Sequence, residues 1–355
     1  RAGVRVMMVT GDHPQTARAV ADSVGIDSRN VAEGDQLPYV DAELDELIAQ
    51  SNVFARMQPE HKLRLVERLQ QRGEIVAMTG DGLNDAPALK RADVGVAMGE
   101  RGSDVAREVA DVVLLDDNFA TIVAAIEEGR SIYANVQSFI RFSFSSNVAL
   151  MLLVFGAAAG SLLVGLRSSD GSLLVPFTAL QILWINFLGD GPPALAMALD
   201  SSRNALLEPP RSPRAPLLGP TALRFVVADG LLKGGVGLCL LVALPYLGAS
   251  ALATAAAAFL YEGIAKLLSM FPARRLRGTL RRNVWVLAAT AVSVSLQLGC
   301  VAFAPLRRVM GLVALRPLDV AVVGLALAIT LALGEAILRA LRTASHPQPP
   351  RPLNA

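Results

Sequence analysis

Cysteine is nearly absent: Cys239 and Cys300 are the only two in 355 residues. They lie far apart inside apolar runs, so neither a disulfide framework nor a zinc site is supported, and both read as packing residues. Charge imbalance is also small, a formal +2. Basic residues gather beside apolar segments instead of forming one stripe, so no nucleic-acid partner is expected. A secretory leader is missing too, since no charged start, short apolar core and small-residue cleavage site open the chain. Arg1 stands in what reads as a strand already under way, so an N-terminal part of the same polypeptide is expected to precede it.

What the chain does contain is divided in two. Charges run throughout residues 1–130, whereas from Asn147 onward they retreat to short loops between long apolar runs. The expected organisation is a soluble domain over 1–130, a membrane domain over 131–340 and a tail over 341–355. Val4 to Val9 is a short apolar run ending in Thr-Gly-Asp, where a buried strand gives way to a loop. Pro14 to Val24 reads as a helix closed by Gly25. A helix from about Pro59 to Gln71, a strand from Glu74 to Thr79 and a loop from Gly80 to Asp85 repeat the pattern, and apolar runs follow at Val94–Met98 and Val112–Leu115. This alternation predicts an α/β, Rossmann-like domain with a mainly parallel sheet. The acidic stretch Asp27 to Gln50 has no histidine or cysteine and reads as a solvated helix face.

Six apolar segments follow, about 147–165, 173–199, 222–247, 251–271, 284–305 and 318–338. Each approaches the ~20 residues that cross ~30 Å of hydrocarbon, so an all-α membrane domain in a lipid bilayer is expected. With the soluble part in the cytoplasm, the loops and tail on its side hold Arg203, Arg211, Arg214, Arg274, Arg275, Arg277, Arg281, Arg282, Arg339, Arg342 and Arg351. The opposite loops hold only Arg167, Arg307, Arg308 and Arg316. That bias predicts both ends inside. The Ala-, Arg- and Leu-rich composition suits a bacterial plasma membrane.

Chemistry concentrates at Thr79-Gly-Asp-Gly-Leu-Asn-Asp-Ala-Pro87. Following a strand, this run puts Asp81 at the carboxyl edge of the sheet, where α/β proteins bind ligands. A hard carboxylate there suits Mg2+, which takes phosphate oxygens and waters as its other ligands. Gly80 and Gly82 let the backbone turn close to a phosphate, and Asn84 and Asp85 can hydrogen-bond around the same point. Thr10 can offer its hydroxyl and backbone N–H to a phosphoryl oxygen, and Lys62 a positive charge from a helix N-terminal region. Thr10-Gly11-Asp12 also reads as an ordinary turn, and Lys62 as a surface lysine. His13 and His61 are isolated and read as surface or packing residues.

The run Thr79 to Lys90 resembles the hinge motif of P-type ATPases, members of the haloacid-dehalogenase superfamily. Thr10-Gly-Asp12 resembles their other phosphorylation-domain motif, and Lys62 matches their phosphate-contacting lysine. The runs Ser103–Ala106, Asp116–Phe119 and Glu128–Arg130 resemble the family's approach to the membrane. The resemblance implies a partial phosphorylation domain of haloacid-dehalogenase type followed by a six-helix transmembrane domain. It also implies ATP as the phosphoryl donor, with Mg2+ at Asp81 and an aspartyl-phosphate intermediate. The Asp-Lys-Thr-Gly acceptor and the Thr-Gly-Glu motif of the actuator domain do not occur in these residues. Taken alone, the 355 residues are therefore expected to be inactive.

Asn186 and Asp190 share a helix face, and an intramembrane aspartate is a functional hypothesis by default. Gly191-Pro-Pro193 is expected to break that helix and free the carbonyls of Leu188 and Gly189 as ligands. Asn147 reads as a further ligand or an interfacial polar residue. Glu262 reads either as a ligand or as half of an i,i+4 pair with Lys266. Asp229 with Lys233 and Glu335 with Arg339 read as structural pairs nearer helix ends. Leu180 to Ala194 resembles the sixth membrane helix of type II calcium pumps, most closely the Ca2+/Mn2+ secretory-pathway branch. That resemblance makes Asn186 and Asp190 ligands of a transported Ca2+ or Mn2+. Leu150 and Gly189 stand where the two-site sarcoplasmic-reticulum pump has Glu and Thr, which implies one ion per cycle. A membrane-tethered phosphatase of the same superfamily and a non-catalytic remnant are the competing readings; an anchor needs one span and no buried carboxylate.

Overall fold

At Thr10-Gly11-Asp12 the first apolar run must give way to a loop. In a computed structural model of the chain, β1 (Met8–Val9) ends that run and α1 (Pro14–Val24) follows. Pro14 suits the first turn, where its missing N–H costs nothing, and Gly25 closes the helix at φ 76°. His13 caps α1 by accepting from the Gln15 N–H, which is the local role of this isolated histidine. The structure describes residues 2–164, 176–200, 205–207, 210–212, 215–276 and 283–345. Arg1, Arg167, Arg203, Arg214, Arg277, Arg281, Arg282 and Arg351, and the expected tail beyond 345, lie outside these.

The chain divides into two units, Arg1–Glu128 with Asn204–Ala215, and Gly129–Arg203 with Pro216–Ala355. In the first, β2 (Val31–Glu33), α2 (Asp41–Gln50), β3 (Val53–Ala55), α3 (Pro59–Gln71) and β4 (Ala77–Gly80) succeed one another. They are followed by α4 (Ala86–Arg91), β5 (Val94–Met98), α5 (Asp104–Val109) and β6 (Val112–Leu114). All pairings are parallel, in two three-stranded sheets ordered β1-β3-β2 and β4-β5-β6. The expected α/β arrangement is present. The acidic stretch, however, contains β2 as well as α2, and α2 is only half solvated. Leu44 and Ile48 are buried, while Asp41 and Asp45 grip Arg68 of α3. The hydrogen-bonded guanidinium of Arg68 holds the Asp45 carboxyl below the usual carboxylate range. β1 and β4 are edge strands, and the apolar residues Val4, Val6 and Ile75 just before them are exposed.

The second unit is built from long helices. These are α6 (Phe119–Val164, beginning in the first unit), α7 (Ala179–Ala198), α8 (Pro220–Tyr246), α9 (Ala251–Arg275), α10 (Val284–Ala302), the short α11 (Ala304–Val309) and α12 (Pro317–Ser345). Among the described residues five helices are long and apolar enough to cross a membrane: α6, α8, α9, α10 and α12. Six were expected. The exception is α7, whose Gln181, Asn186, Asp190 and paired prolines lower its mean hydropathy. Nor does Gly191-Pro-Pro193 break α7, which runs unbroken to Ala198 with Pro192 and Pro193 inside it. Neighbouring helices make such prolines tolerable, although each still leaves a carbonyl without its N–H partner.

α9 is the most deeply buried of the five and is packed by α7, α8, α10 and α12. Asp229 and Lys233 do not sit near a helix end: both are buried in the body of α8, their charged groups 2.8 Å apart. The Lys233 ammonium also donates to the hydroxyls of Ser145 (3.1 Å) and Ser146 (3.3 Å) of α6. Removing one partner of a buried pair leaves the other charge uncompensated, at about 3–5 kcal/mol. Lys233→Met is therefore expected to lower the thermal unfolding midpoint in detergent by several degrees, and Asp229→Leu added to it should restore most of the loss. Equal midpoints for wild type and Lys233→Met would show that the pair contributes nothing. At one end of the bundle Asp200 accepts from Nε and Nη2 of Arg274, each at 2.6 Å, and from the Asn283 amide at 2.7 Å, joining the ends of α7, α9 and α10. Glu335 pairs with Arg275 as well as with Arg339.

Candidate functional site

Two sites emerge, one in each unit. In the first unit the loops after β1 and β3 are clasped at the carboxyl edge of their sheet: Arg56 N–H donates to Asp12 O and Met57 N–H to Thr10 O, both at 2.9 Å. Arg56 takes a positive φ of 49° to make this turn. The Thr10 hydroxyl donates to Asp12 Oδ2 at 2.7 Å and accepts from the Asp12 N–H. Its backbone N–H is committed to Phe54 O at 2.9 Å. Both Thr10 donors are thus engaged within the chain, the N–H by Phe54 and the hydroxyl by Asp12, so the hydroxyl reaches an anion only by turning away from Asp12. Gly11, between them, is exposed.

Lys62 is not a surface lysine. Its ammonium lies 2.5 Å from Asp85 Oδ1, with both side chains largely buried. Gln58 and His61 form a capping box at the start of α3, so His61 fixes the helix turn that carries Lys62. Asp85 packs against Gly80, where an added Cβ would come within 2.5 Å of the Asp85 Cβ. Any larger residue at position 80 would expel the aspartate. Asp81 and Asn84 remain exposed at the end of β4, and the Asp81 carbonyl is pinned by the Ser103 N–H at 2.8 Å. Gly82 sits 3.8 Å, measured from an added Cβ, from Asp85 Oδ2.

This donor set fits Mg2+ of a particular kind. Asp81 supplies one exposed hard oxygen, and no cluster of three His, Cys, Asp or Glu exists among the described residues. A lone exposed carboxylate of this kind suits an ion completed by phosphate oxygens and water. Beyond β6, Asp117 takes φ 47° and its carboxylate accepts from the N–H groups of Gly99, Glu100 and Arg101. Partial desolvation opposes its charge, yet the three N–H groups outweigh that and hold its carboxyl below the ordinary range.

In the second unit, Asn186 and Asp190 do share one face of α7, where both meet Lys266. The Lys266 ammonium reaches across from α9 and lies 3.0 Å from both Asn186 Oδ1 and Asp190 Oδ2. The Glu262–Lys266 pair, one of the two readings of Glu262, is therefore not formed. Glu262 is 1 % exposed, and its Oε2 has no hydrogen-bond partner among the described residues. The same holds for Asp190 Oδ1. Asn147 lies exposed on α6, whereas its neighbours Ser145 and Ser146 are buried against Lys233. Spacing marked Lys266 and Lys233 only as i,i+4 partners on their own helices; their contacts across to Asn186 and Asp190, and to Ser145 and Ser146, carried no signal in it.

A parallel α/β unit with its acidic loop at the strand ends is the haloacid-dehalogenase class of fold, and the second unit is a helical bundle with buried charges and helices long and apolar enough to cross a membrane. Residues 1–93 and 62–126 each match a family of haloacid dehalogenase-like hydrolases, and residues 174–340 match the family described as cation transporting ATPase, C-terminus. The chain belongs to the P-type cation-transporting ATPases. It is 38% identical over 329 residues to a calcium-transporting ATPase of Bacillus subtilis, covering 90% of this chain and 36% of that protein. It is 41% identical over 215 residues to the human calcium-transporting ATPase type 2C member 1, covering 59% and 22%. It is 44% identical over 233 residues to the P-type sodium-transporting ATPase4 of Toxoplasma gondii, covering 61% and 17%. The chain thus spans about a third or less of the length of these relatives.

Proposed function

We propose that this chain forms the hinge half of the phosphorylation domain and the ion-carrying membrane half of an ATP-driven pump that moves Ca2+ or Mn2+, one ion per cycle. The observation that carries the reading is the pairing of Asn186 with Asp190 on one helix face inside the bundle, with a buried carboxylate oxygen, Asp190 Oδ1, lacking any partner among the described residues. A structural aspartate would be fully hydrogen-bonded. A cation ligand need not be until its ion arrives.

In the first unit, Asp81 would hold Mg2+ against the transferred phosphoryl group. Lys62, steadied by Asp85, would place positive charge beside it, and the Thr10 hydroxyl, turned from Asp12, would donate to an oxygen of the same group. Mg2+ supplies charge neutralisation, and the residues of the chain orient and screen. The acceptor aspartate, the nucleotide-binding and actuator domains and a further carboxylate ligand would come from an N-terminal part of the same polypeptide. Asn147 and Glu262 are candidate further ligands, with the soluble unit and both ends of the chain on the cytoplasmic side of a bacterial plasma membrane.

The single-ion assignment rests on Leu150 and Gly189, which bring no oxygen where a two-site pump needs one. Counting Ca2+ and Mn2+ transported into proteoliposomes per ATP hydrolysed by the complete polypeptide is the test. A ratio near one is expected, a ratio of two overturns the stoichiometry, and ATP hydrolysis unaffected by either ion overturns the pump.

A further inference from the structure

The geometry points to Lys266 as a tethered counter-cation of the Asn186–Asp190 pair, one that the transported ion must displace and that Glu262 receives when displaced. This rests on the reading of Asn186 and Asp190 as ion ligands. The ammonium stands 3.0 Å from an amide oxygen and 3.0 Å from a carboxylate oxygen, which are the two oxygens a bound cation would take. Lys266 is itself only 2 % exposed. It reaches this place through a gap in the facing helix: an added Cβ on Gly189 would lie 2.6 Å from both Cδ and Cε of Lys266. The residue that brings no ligand oxygen to α7 is thus the one whose missing side chain admits the lysine.

A second position for the ammonium exists one helical turn away. Glu262 is four residues before Lys266 on α9, on the same face, and its Oε2 is buried without a hydrogen-bond partner among the described residues. Moving from Asp190 to Glu262 keeps the ammonium paired with a carboxylate at both ends of its swing, so it is never left bare in a low-dielectric interior. The charge arithmetic is also favourable. While the lysine holds the ligand pair, Asp190 is neutralised without a second ion; when a cation replaces it, Glu262 is neutralised instead. The device would keep the ammonium paired in both the loaded and the empty state, leaving Glu262 as the vacant acceptor while the lysine holds Asp190.

A competitor that holds the ligands about nine-tenths of the time weakens apparent affinity about tenfold. Equilibrium binding of radioactive Ca2+ and, separately, of Mn2+ to the complete polypeptide in lipid nanodiscs reads this directly. Lys266→Met and Gly189→Ala are each expected to tighten binding at least about fivefold. The second keeps the lysine but forces its flexible end out of the gap, so it serves if Lys266→Met fails to fold. Glu262→Gln should weaken binding by a similar factor, and Lys266→Met combined with it should abolish that weakening. If Asp190→Asn removes binding while Lys266→Met and Gly189→Ala leave it unchanged or weaker, the lysine is no competitor and this inference falls alone. If Asp190→Asn leaves binding intact, the ligand assignment falls and takes the inference with it.

Discussion

Asp190→Asn in the complete polypeptide is expected to lower ion-activated ATP turnover more than about a hundredfold, while phosphorylation by inorganic phosphate in the absence of the ion persists. The carboxylate is the one full negative charge on the ligand face of α7, and a charged partner lost from a buried site costs about 3 kcal/mol or more. The substitution preserves shape and one oxygen, so loss of packing is small. Asn186 and the Lys266 ammonium keep their contact, and Glu262 stands within the same turn to take the freed charge. The phosphate site lies in the other unit and none of its groups is altered. Turnover that still responds to Ca2+ or Mn2+ in Asp190→Asn would remove this residue from the ion path.

The second large effect concerns Asp81. Asp81→Asn is expected to depress Mg2+-dependent phosphoenzyme formation about a hundredfold or more, the range found when one preorganised charge-stabilising group is removed from a phosphoryl- or acyl-transfer site. The loop should hold its shape, because it is fixed by the Ser103 N–H on the Asp81 carbonyl and by the packing of Asp85 on Gly80, neither of which involves the altered group. Raising Mg2+ should recover part of the rate, since the loss is one of ion affinity. Phosphoenzyme levels equal to wild type at limiting Mg2+ would assign the metal elsewhere.

Much of the first unit was legible from residue order. Gly25, Pro14, Pro59 and the run Val94–Met98 mark their element boundaries as the structure has them, because turn and capping chemistry acts locally. β2 and β3 escaped notice: three residues each give no periodicity, and only pairing with neighbours makes them strands. The loop Gly80–Asp85 was legible because two glycines and three polar side chains at a strand end have few other uses.

The bundle was harder to read for a physical reason. Helical spacing reports neighbours on one helix, so Glu262 and Lys266 looked like a pair. The actual partners of Lys266 come from α7, through a gap that only the facing glycine reveals. Likewise paired prolines predict a break in water, whereas among packed helices α7 continues past them. The Lys233 cluster depended on the rotation of α6 against α8, which puts Ser145 and Ser146 inside and Asn147 outside.

The two open sheet margins have a practical corollary. The outer sides of β1 and β4 have no strand partner among the described residues, and Val4, Val6 and Ile75 beside them are bare. Such margins invite copies of the same molecule to zip together, the hazard that natural margins blunt with lysine or proline. Overproduced by itself, the first unit would gather in inclusion bodies, and a lysine gatekeeper at Val6 or Ile75 is the change that would keep it dispersed.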